Sequence, residues 1–213
     1  MTESPLEAHW AAFAELSAPA RLRRAAMQQF AEHGFDGASV RSIAKVAGVS
    51  AALVTHHFGS KEGLRASVDE HLLEAFGGEL EDLAVAEDAS SEAVLAAFGG
   101  LTARLFGLDP VTRGYLRRVL LDGGEAGEAM FDRLLDGARR QLHRLAEEGW
   151  LREDADAVWS PYQILFLLLG PLLLEPSLRH ATEPDPFSAK LLDERSRANQ
   201  RLLESGLFQE RRP

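Results

Sequence analysis

Helix-boundary residues follow one another at short intervals near the N-terminus, and they constrain the fold more than any other feature of the sequence. Ser39 and Ser50 are residues of the type that caps the first turn of a helix, and Gly48 permits the left-handed backbone that ends one. The spacing predicts a helix over Val40–Ala47, a tight turn, and a second helix over Ala51–His57. This is the helix-turn-helix arrangement, whose second helix can enter the major groove of DNA.

Helical patterning extends on both sides of this pair. Apolar residues recur at every fourth position from Leu22 to Phe30, and Gly34 supplies a stop signal. Ser60 can cap a further helix that starts at Lys61. The sequence therefore predicts a three-helix head followed directly by a long connecting helix.

Longer helical segments are predicted beyond this head. Gly77-Gly78 is a predicted weak point or hinge in the connecting helix, because glycine lowers helix stability. Loops are predicted at Asp122–Gly127 and Pro176–Pro186. Strand patterns are nearly absent, so the fold class is all-α. The later helices are predicted at Ser91–Phe106, Pro110–Leu121, Gly124–Glu148, Ala155–Leu174 and Pro186–Leu207.

The charge distribution favours a nucleic-acid partner for the head alone. The whole chain carries a net charge of −10. Between Pro19 and Arg65, however, seven basic residues face three acidic ones, a net charge of +4 that leaves −14 for the rest. A basic segment joined to an acidic body is expected when only one end meets phosphate.

Several classes of protein are excluded by what the sequence lacks. There is no cysteine, and there is no glycine-rich phosphate loop, HExxH pair or Gly-x-Ser-x-Gly elbow, so we expect neither an enzyme nor a cofactor. His56-His57 lacks a nearby third ligand, so no metal site is expected. The longest apolar stretch, Ile164–Leu174, is too short to span a bilayer, and the acidic N-terminus is unlike a signal peptide. A cytoplasmic protein that does not enter a membrane is the expectation.

The segment Gly34–Leu64 resembles the DNA-binding domain of the TetR (tetracycline repressor) family, and the resemblance covers about residues 20–66. It implies a transcriptional regulator, more often a repressor than an activator. Thr55 stands where the family commonly has tyrosine, and Ala38 replaces a frequent threonine. The matching residues are Phe30, Gly34-Phe35-Asp36, Ser39-Val40-Arg41, Ile43-Ala44, Ala47-Gly48-Val49-Ser50, His57-Phe58 and Ser60-Lys61-Glu62-Gly63-Leu64.

Eight residues are the predicted DNA contacts. Four of them, Arg41, Ser50, Thr55 and Lys61, are predicted to bind phosphate and so to position the head rather than to select a sequence. Thr55 is also among the predicted groove-facing residues of the second helix, with His57 near its end. This second set is Ala51, Ala52, Thr55, His56 and His57.

The resemblance also implies that the C-terminal helices bind a small molecule and form a homodimer. The predicted organisation is an N-terminal extension (1–17), a helix-turn-helix domain (18–66) and a helical ligand-binding and dimerisation bundle (67–213). The last two helices would form the dimer interface, and the dimer would read a pseudo-palindromic operator. For any single candidate, plain core is the better interpretation. The candidate ligand-binding residues are Leu101, Arg104, Leu105, Tyr115, Met130, Leu134 and Phe166.

Two alternatives stay open at this point. One is a ligand-binding dimer whose head no longer contacts DNA, an interpretation that rests on Thr55 alone. The other is a protein-interaction module that uses the apolar C-terminal helices.

Overall fold

A computed structural model of the chain describes residues 16–81, 109–182 and 185–209. Within those ranges the chain is helical apart from turns and one isolated antiparallel bridge between Leu151 and Phe208, which confirms the all-α prediction. The predicted helix Ser91–Phe106 and most of the N-terminal extension lie outside the described residues. The helices are α1 (Ala18–Gly37), α2 (Val40–Ala47), α3 (Ala51–Phe58), α4 (Lys61–Glu81), α5 (Pro110–Asp122), α6 (Gly124–Glu147), α7 (Ser160–Leu173), α8 (Glu175–Ala181) and α9 (Ala189–Gly206).

The chain divides into two compact units. The first contains the described residues up to Leu72 together with Gly114–Arg118, the middle of α5, and the second contains the remainder. Helix α4 continues from Lys61 to Glu81 without a break at Gly77 or Gly78. The predicted domain boundary after residue 66 and the predicted hinge in α4 therefore stay predictions.

The first unit is built on one side of α1. Leu22 and Phe30 are buried there, as are Ile43 of α2 and Val54 of α3. Helix α1 is interrupted at Gly34, whose backbone adopts φ 73° and ψ 170° before one further turn. The predicted stop signal at Gly34 therefore introduces a kink, and the helix ends three residues later.

In the second unit, α6 packs against α7. The C-terminal end of the chain is tied to the turn after α6, since Gln209 N–H donates to the Trp150 carbonyl at 3.0 Å and Arg152 N–H donates to the Leu207 carbonyl at 3.0 Å. The buried cluster that results contains Leu142, Leu145, Trp150, Ile164, Leu207 and Phe208.

Two predicted helix starts in this unit were too early. Helix α7 begins at Ser160 and not at Ala155, because the Asp156 carboxylate accepts hydrogen bonds from the N–H groups of Val158 and Trp159 at 2.9 and 2.8 Å and so holds a turn. Helix α9 begins at Ala189 and not at Pro186, since Asp185 forms a similar turn with Phe187 N–H at 3.0 Å.

Both predicted loops were also wrong in part. Between α5 and α6 the break is confined to Gly123 and Gly124, which have φ of 64° and 65°. The predicted loop after Pro176 contains α8, in which proline occupies the first turn and Glu175 pairs with Arg179 one turn later at 2.7 Å.

No single helix in the described ranges has both the length and the apolar composition needed to cross a membrane. The pair α7 and α8 meets those two criteria only when taken together, and it is bent by 68°.

Candidate DNA-binding interface

Helix α2 and the turn that follows it are fixed by local hydrogen bonds. Ser39 and Ser42 form a reciprocal capping box, in which each hydroxyl accepts from the other's backbone N–H at 3.0 Å. Gly48 is left-handed, with φ 66° and ψ 34°. Val49 N–H then returns to the Ala44 carbonyl at 3.0 Å. The predicted bounds of α2 are confirmed, and α3 is one residue longer than predicted.

Helix α3 has one buried face and one exposed face. Val54 is 0% exposed, so the burial of its side chain holds the helix on the head by about 2 kcal/mol. Ala52, Thr55 and His56 are exposed, as is His57 near the helix end. Since positions three and four apart lie on the same side of a helix, the first three form one continuous face. Ala51 is half-buried at the edge of that face.

The N-terminus of α3 is open. Ser50 occupies the N-cap with an extended backbone and is exposed, but its side chain makes no capping hydrogen bond. The N–H groups of the first turn therefore lack that partner, and they carry the positive end of the helix dipole. Such a terminus can bind a phosphate oxygen.

Helix α2 adds positive charge to the head. Arg41 is exposed, as expected of a phosphate contact, and Lys45 lies one turn further along the same face and is also exposed. Lys45 was not among the predicted DNA contacts. Its spacing of four residues from Arg41 is the signal that would have found it.

Comparison with known proteins agrees with this geometry. Residues 22–68 match the family described as bacterial regulatory proteins, tetR family. The HTH-type transcriptional regulatory protein RaaS of Mycobacterium tuberculosis is 36% identical over 148 residues, which is 67% of this chain and 64% of RaaS. This chain belongs to the TetR family. The alignment spans less than two thirds of the length of RaaS.

Solved structures of transcriptional regulators share the fold of this chain. FadR from Bacillus subtilis, in complex with stearoyl-CoA, superimposes with a TM-score of 0.68 over 88% of this chain and 98% of its own, at 20% identity. The TetR-family regulator PfmR from Thermus thermophilus has a TM-score of 0.63 over 89% of this chain and 96% of its own, at 26% identity.

Lys61 of this TetR-family chain has partners within the head. Its Nζ donates to the carbonyls of Phe35 and Ala38 at 2.9 and 3.1 Å and lies 4.2 Å from the centre of the Phe35 ring. These carbonyls end α1, where the helix dipole is negative, so a cation is favourable there. The contact offsets the unfavourable position of Lys61 at the start of α4. A phosphate contact by Lys61 stays a prediction, and the structure shows this second role beside it.

Phe35 also connects the head to α4 through Arg65. The Arg65 guanidinium lies 5.0 Å from the Phe35 ring centre and 3.8 Å from the Asp69 carboxylate. Asp69 in turn accepts a hydrogen bond from the Tyr115 hydroxyl at 2.7 Å, and the Tyr115 ring lies 6.1 Å from that of Phe30. Aromatic and charged contacts therefore connect α1, α4 and the middle of α5 within the first unit.

Tyr115 was predicted to bind a ligand, which stays a prediction, and in the structure its hydroxyl donates a hydrogen bond to Asp69. Burial raises the pKa of Tyr115 far above its usual range, and the negative charge of Asp69 raises it further. The phenol therefore stays a hydrogen-bond donor at all physiological pH values.

The structure describes three of the six other predicted ligand contacts. Leu101, Arg104 and Leu105 lie outside the described residues. Met130 and Leu134 are buried in the second unit, whereas Phe166 is 56% exposed and lines a cavity. His56 and His57 have ring centres 4.9 Å apart, and no group of three metal-binding side chains occurs among the residues that the structure describes.

Proposed function

We propose that the chain is a transcriptional repressor that binds operator DNA through α3 and is released when a small molecule binds its second unit. The observation that carries this proposal is the exposed face of Ala52, Thr55 and His56 on a helix whose opposite side is anchored by fully buried Val54. A helix held in this way can present its free face to base edges without shifting on the head.

The neighbouring groups supply binding energy that does not depend on sequence. Arg41 and Lys45 are exposed on α2, and the open N-terminus of α3 adds N–H donors. Phosphate contacts of this kind position a protein on the duplex, whereas contacts to the base edges select the sequence. Contacts to the base edges can be made by the methyl groups of Ala52 and Thr55 and by the imidazole of His56. Thymine presents a methyl group in the major groove, which suits contact with such methyl groups.

Dimerisation through the C-terminal helices is the second part of the proposal. Large apolar side chains are exposed on the flanks of α7, and Leu202 is 60% exposed on α9. A second copy of this surface would remove these side chains from water. Two heads related by a two-fold axis would then read a pseudo-palindromic operator with half-sites about 34 Å apart. The large apolar residues exposed on the flanks of α7, outside the cavity that Phe166 lines, are Val158, Trp159 and Leu174.

The regulatory part of the proposal needs only a modest coupling between effector and DNA. A difference of 1–3 kcal/mol, about 5- to 150-fold in affinity, is enough for a switch. The FadR structure is a complex with stearoyl-CoA, which supports an effector in this fold without identifying one for this chain. We propose that the protein acts in the cytoplasm, where its operator lies, and that it catalyses no reaction.

Fluorescence anisotropy with the full chain tests the proposal. Selection from random duplex DNA should yield a pseudo-palindrome, which the chain binds more tightly than scrambled DNA at the same salt concentration. Replacement of Ala52 or His56 should change the selected sequence, because those residues face the bases. A folded dimer that selects no sequence would refute DNA recognition and leave the ligand-binding dimer as the better interpretation.

A further inference from the structure

The second unit contains a cavity of about 570 Å³ between the end of α5, the first half of α6 and the second half of α7. This volume is in the range of small-molecule sites. Leu120 of α5 and Leu169 and Leu173 of α7 form apolar parts of its wall. Of the residues predicted as ligand contacts, Phe166 alone is in the described lining.

The charged residues in the described lining of this cavity are acidic. Glu128 and Asp132 lie one turn apart on α6 and both line the cavity, and the described lining contains no lysine, arginine or histidine. Like charges at this spacing destabilise a helix by a few tenths of a kcal/mol. A cation held between them would remove that repulsion, whereas an anion would increase it.

Two phenyl rings belong to the described part of the wall. Phe131 of α6 and Phe166 of α7 both line the cavity. The face of an aromatic ring attracts a cation, and the attraction is stronger where water is excluded. A ligand that is both apolar and positively charged would make apolar contacts with the leucines, and its charge would be attracted by the rings and the carboxylates.

From these groups we infer that the cavity binds a lipophilic organic cation, such as a quaternary ammonium or phosphonium ion with aromatic substituents. Its apolar arms contact Leu169, Leu173 and the rings, and its charge faces Glu128 and Asp132. This inference names the effector class of the proposed function and rests on that function only for the effect on DNA. Binding of the cation itself does not depend on it.

A pair of ions that differ only in the sign of their charge provides the direct test. Tetraphenylphosphonium and tetraphenylborate have nearly the same size and shape. Isothermal titration calorimetry of the full chain should show saturable binding of the phosphonium and at least about tenfold weaker binding of the borate. Equal binding of both ions, or no binding of the phosphonium, would overturn the inference.

Gly170 allows the cavity to be filled without disturbing the backbone. It lines the cavity, and a Cβ atom placed on it would meet no atom within 4 Å. Gly170→Leu should therefore abolish phosphonium binding while circular dichroism stays unchanged. Unaltered binding by the folded Gly170→Leu protein would place the cation elsewhere and refute the site.

Removal of the two charges gives an independent measurement. Glu128→Gln combined with Asp132→Asn should weaken phosphonium binding about tenfold and leave borate binding no weaker. Asp136→Asn is the matched control, since Asp136 lies one turn further on α6, is exposed and pairs with Arg139 at 3.2 Å outside the cavity. An equal loss in the control would show that general surface charge, and not this cavity, attracts the cation.

The failure of this inference can be separated from the failure of the proposed function. If the chain binds its selected operator but no phosphonium, the cation class is wrong and the repressor assignment stands. If phosphonium binds and Gly170→Leu blocks it while no operator can be selected, the cavity assignment stands and the repressor assignment fails.

Discussion

The Tyr115 hydroxyl donates a hydrogen bond to the Asp69 carboxylate at 2.7 Å, although the two residues are 46 positions apart in the chain. This bond joins α5 to α4 inside the first unit. Tyr115 is 1% exposed, and the Asp69 side chain is 21% exposed. In the unfolded chain the phenol and the carboxylate are hydrated. In the folded chain the hydrogen bond between them takes the place of that hydration.

Tyr115→Phe should lower the free energy of unfolding by about 1.5–3 kcal/mol, because it removes a hydrogen bond to a charged group and leaves the ring in place. Urea denaturation followed by circular dichroism measures this change. Tyr162→Phe is the matched control, since the Tyr162 hydroxyl is only weakly engaged by Arg139, at 3.4 Å. Equal losses in both variants would contradict the importance of the Tyr115–Asp69 bond.

Lys61→Met should lower the free energy of unfolding by about 1–2 kcal/mol, because it leaves the carbonyls of Phe35 and Ala38 without their charged donor. Methionine keeps an unbranched side chain but has no ammonium group to donate to the carbonyls or to lie over the Phe35 ring. Chemical denaturation gives the stability, and anisotropy over a range of salt concentrations gives the number of phosphate contacts. If stability is unchanged and the slope of log affinity against log salt concentration falls by about 1.8, Lys61 is instead a phosphate contact in each head of the dimer.

Arg41→Gln should change the salt dependence of DNA binding and leave stability almost unchanged, whereas Lys61→Met should lower stability. Arg41 is exposed on α2, so its loss should leave the free energy of unfolding within about 0.5 kcal/mol of the parent. The slope of log affinity against log salt concentration should fall by about 1.8, because the proposed dimer loses one phosphate contact from each of its two heads. Arg140→Gln on α6, another exposed arginine, serves as the control and should leave that slope unchanged. A slope that is the same in both variants would remove Arg41 from the interface.

Gly48→Ala should lower the free energy of unfolding by about 1–2 kcal/mol, because the φ of 66° at this position is unfavourable for a residue with a Cβ atom. No neighbouring atom would meet that Cβ within 4 Å, so the cost is conformational and not steric crowding. Gly48→Asn should cost less, since asparagine tolerates the left-handed region better. Thermal denaturation of the two variants is the measurement, and equal losses would argue against this cause.

Leu202→Glu should shift the chain from dimer to monomer in sedimentation equilibrium, if α9 forms part of the dimer interface as we propose. Leu202 is 60% exposed, so the substitution should not disturb the fold. Leu121→Glu is the matched control, because Leu121 is 62% exposed but lies at the end of α5. A dimer that survives Leu202→Glu would exclude this residue from the interface.

The head was predictable from sequence because its boundaries are set by local interactions. Ser39 bonds to Ser42, Gly48 ends α2 by its own backbone conformation, and Ser60 accepts from Gly63 N–H at 3.0 Å. Each of these contacts spans four residues or fewer. The helix bounds and the exposed face of α3 could therefore be predicted with no knowledge of the rest of the fold.

The second unit was less predictable because long-range contacts compete there with local propensity. Helix α8 replaced a predicted loop, and its Glu175 is buried and lies 3.8 Å from Arg113 of α5. Capping residues and proline positions alone could not reveal that partner. The cavity has the same origin, since Glu128 and Phe166 are 38 positions apart and meet only when α6 packs on α7.

The sequence by itself determined the all-α class, the helix-turn-helix and the identity of the residues on the exposed face of α3. The tertiary structure decided that Lys61 binds the end of α1, that Tyr115 is held by Asp69 and that two carboxylates share an apolar cavity. The physical reason is the distance along the chain over which each kind of interaction acts. Caps and periodicity act within about one helical turn. The partner of a buried or charged side chain depends on which distant segments pack against it.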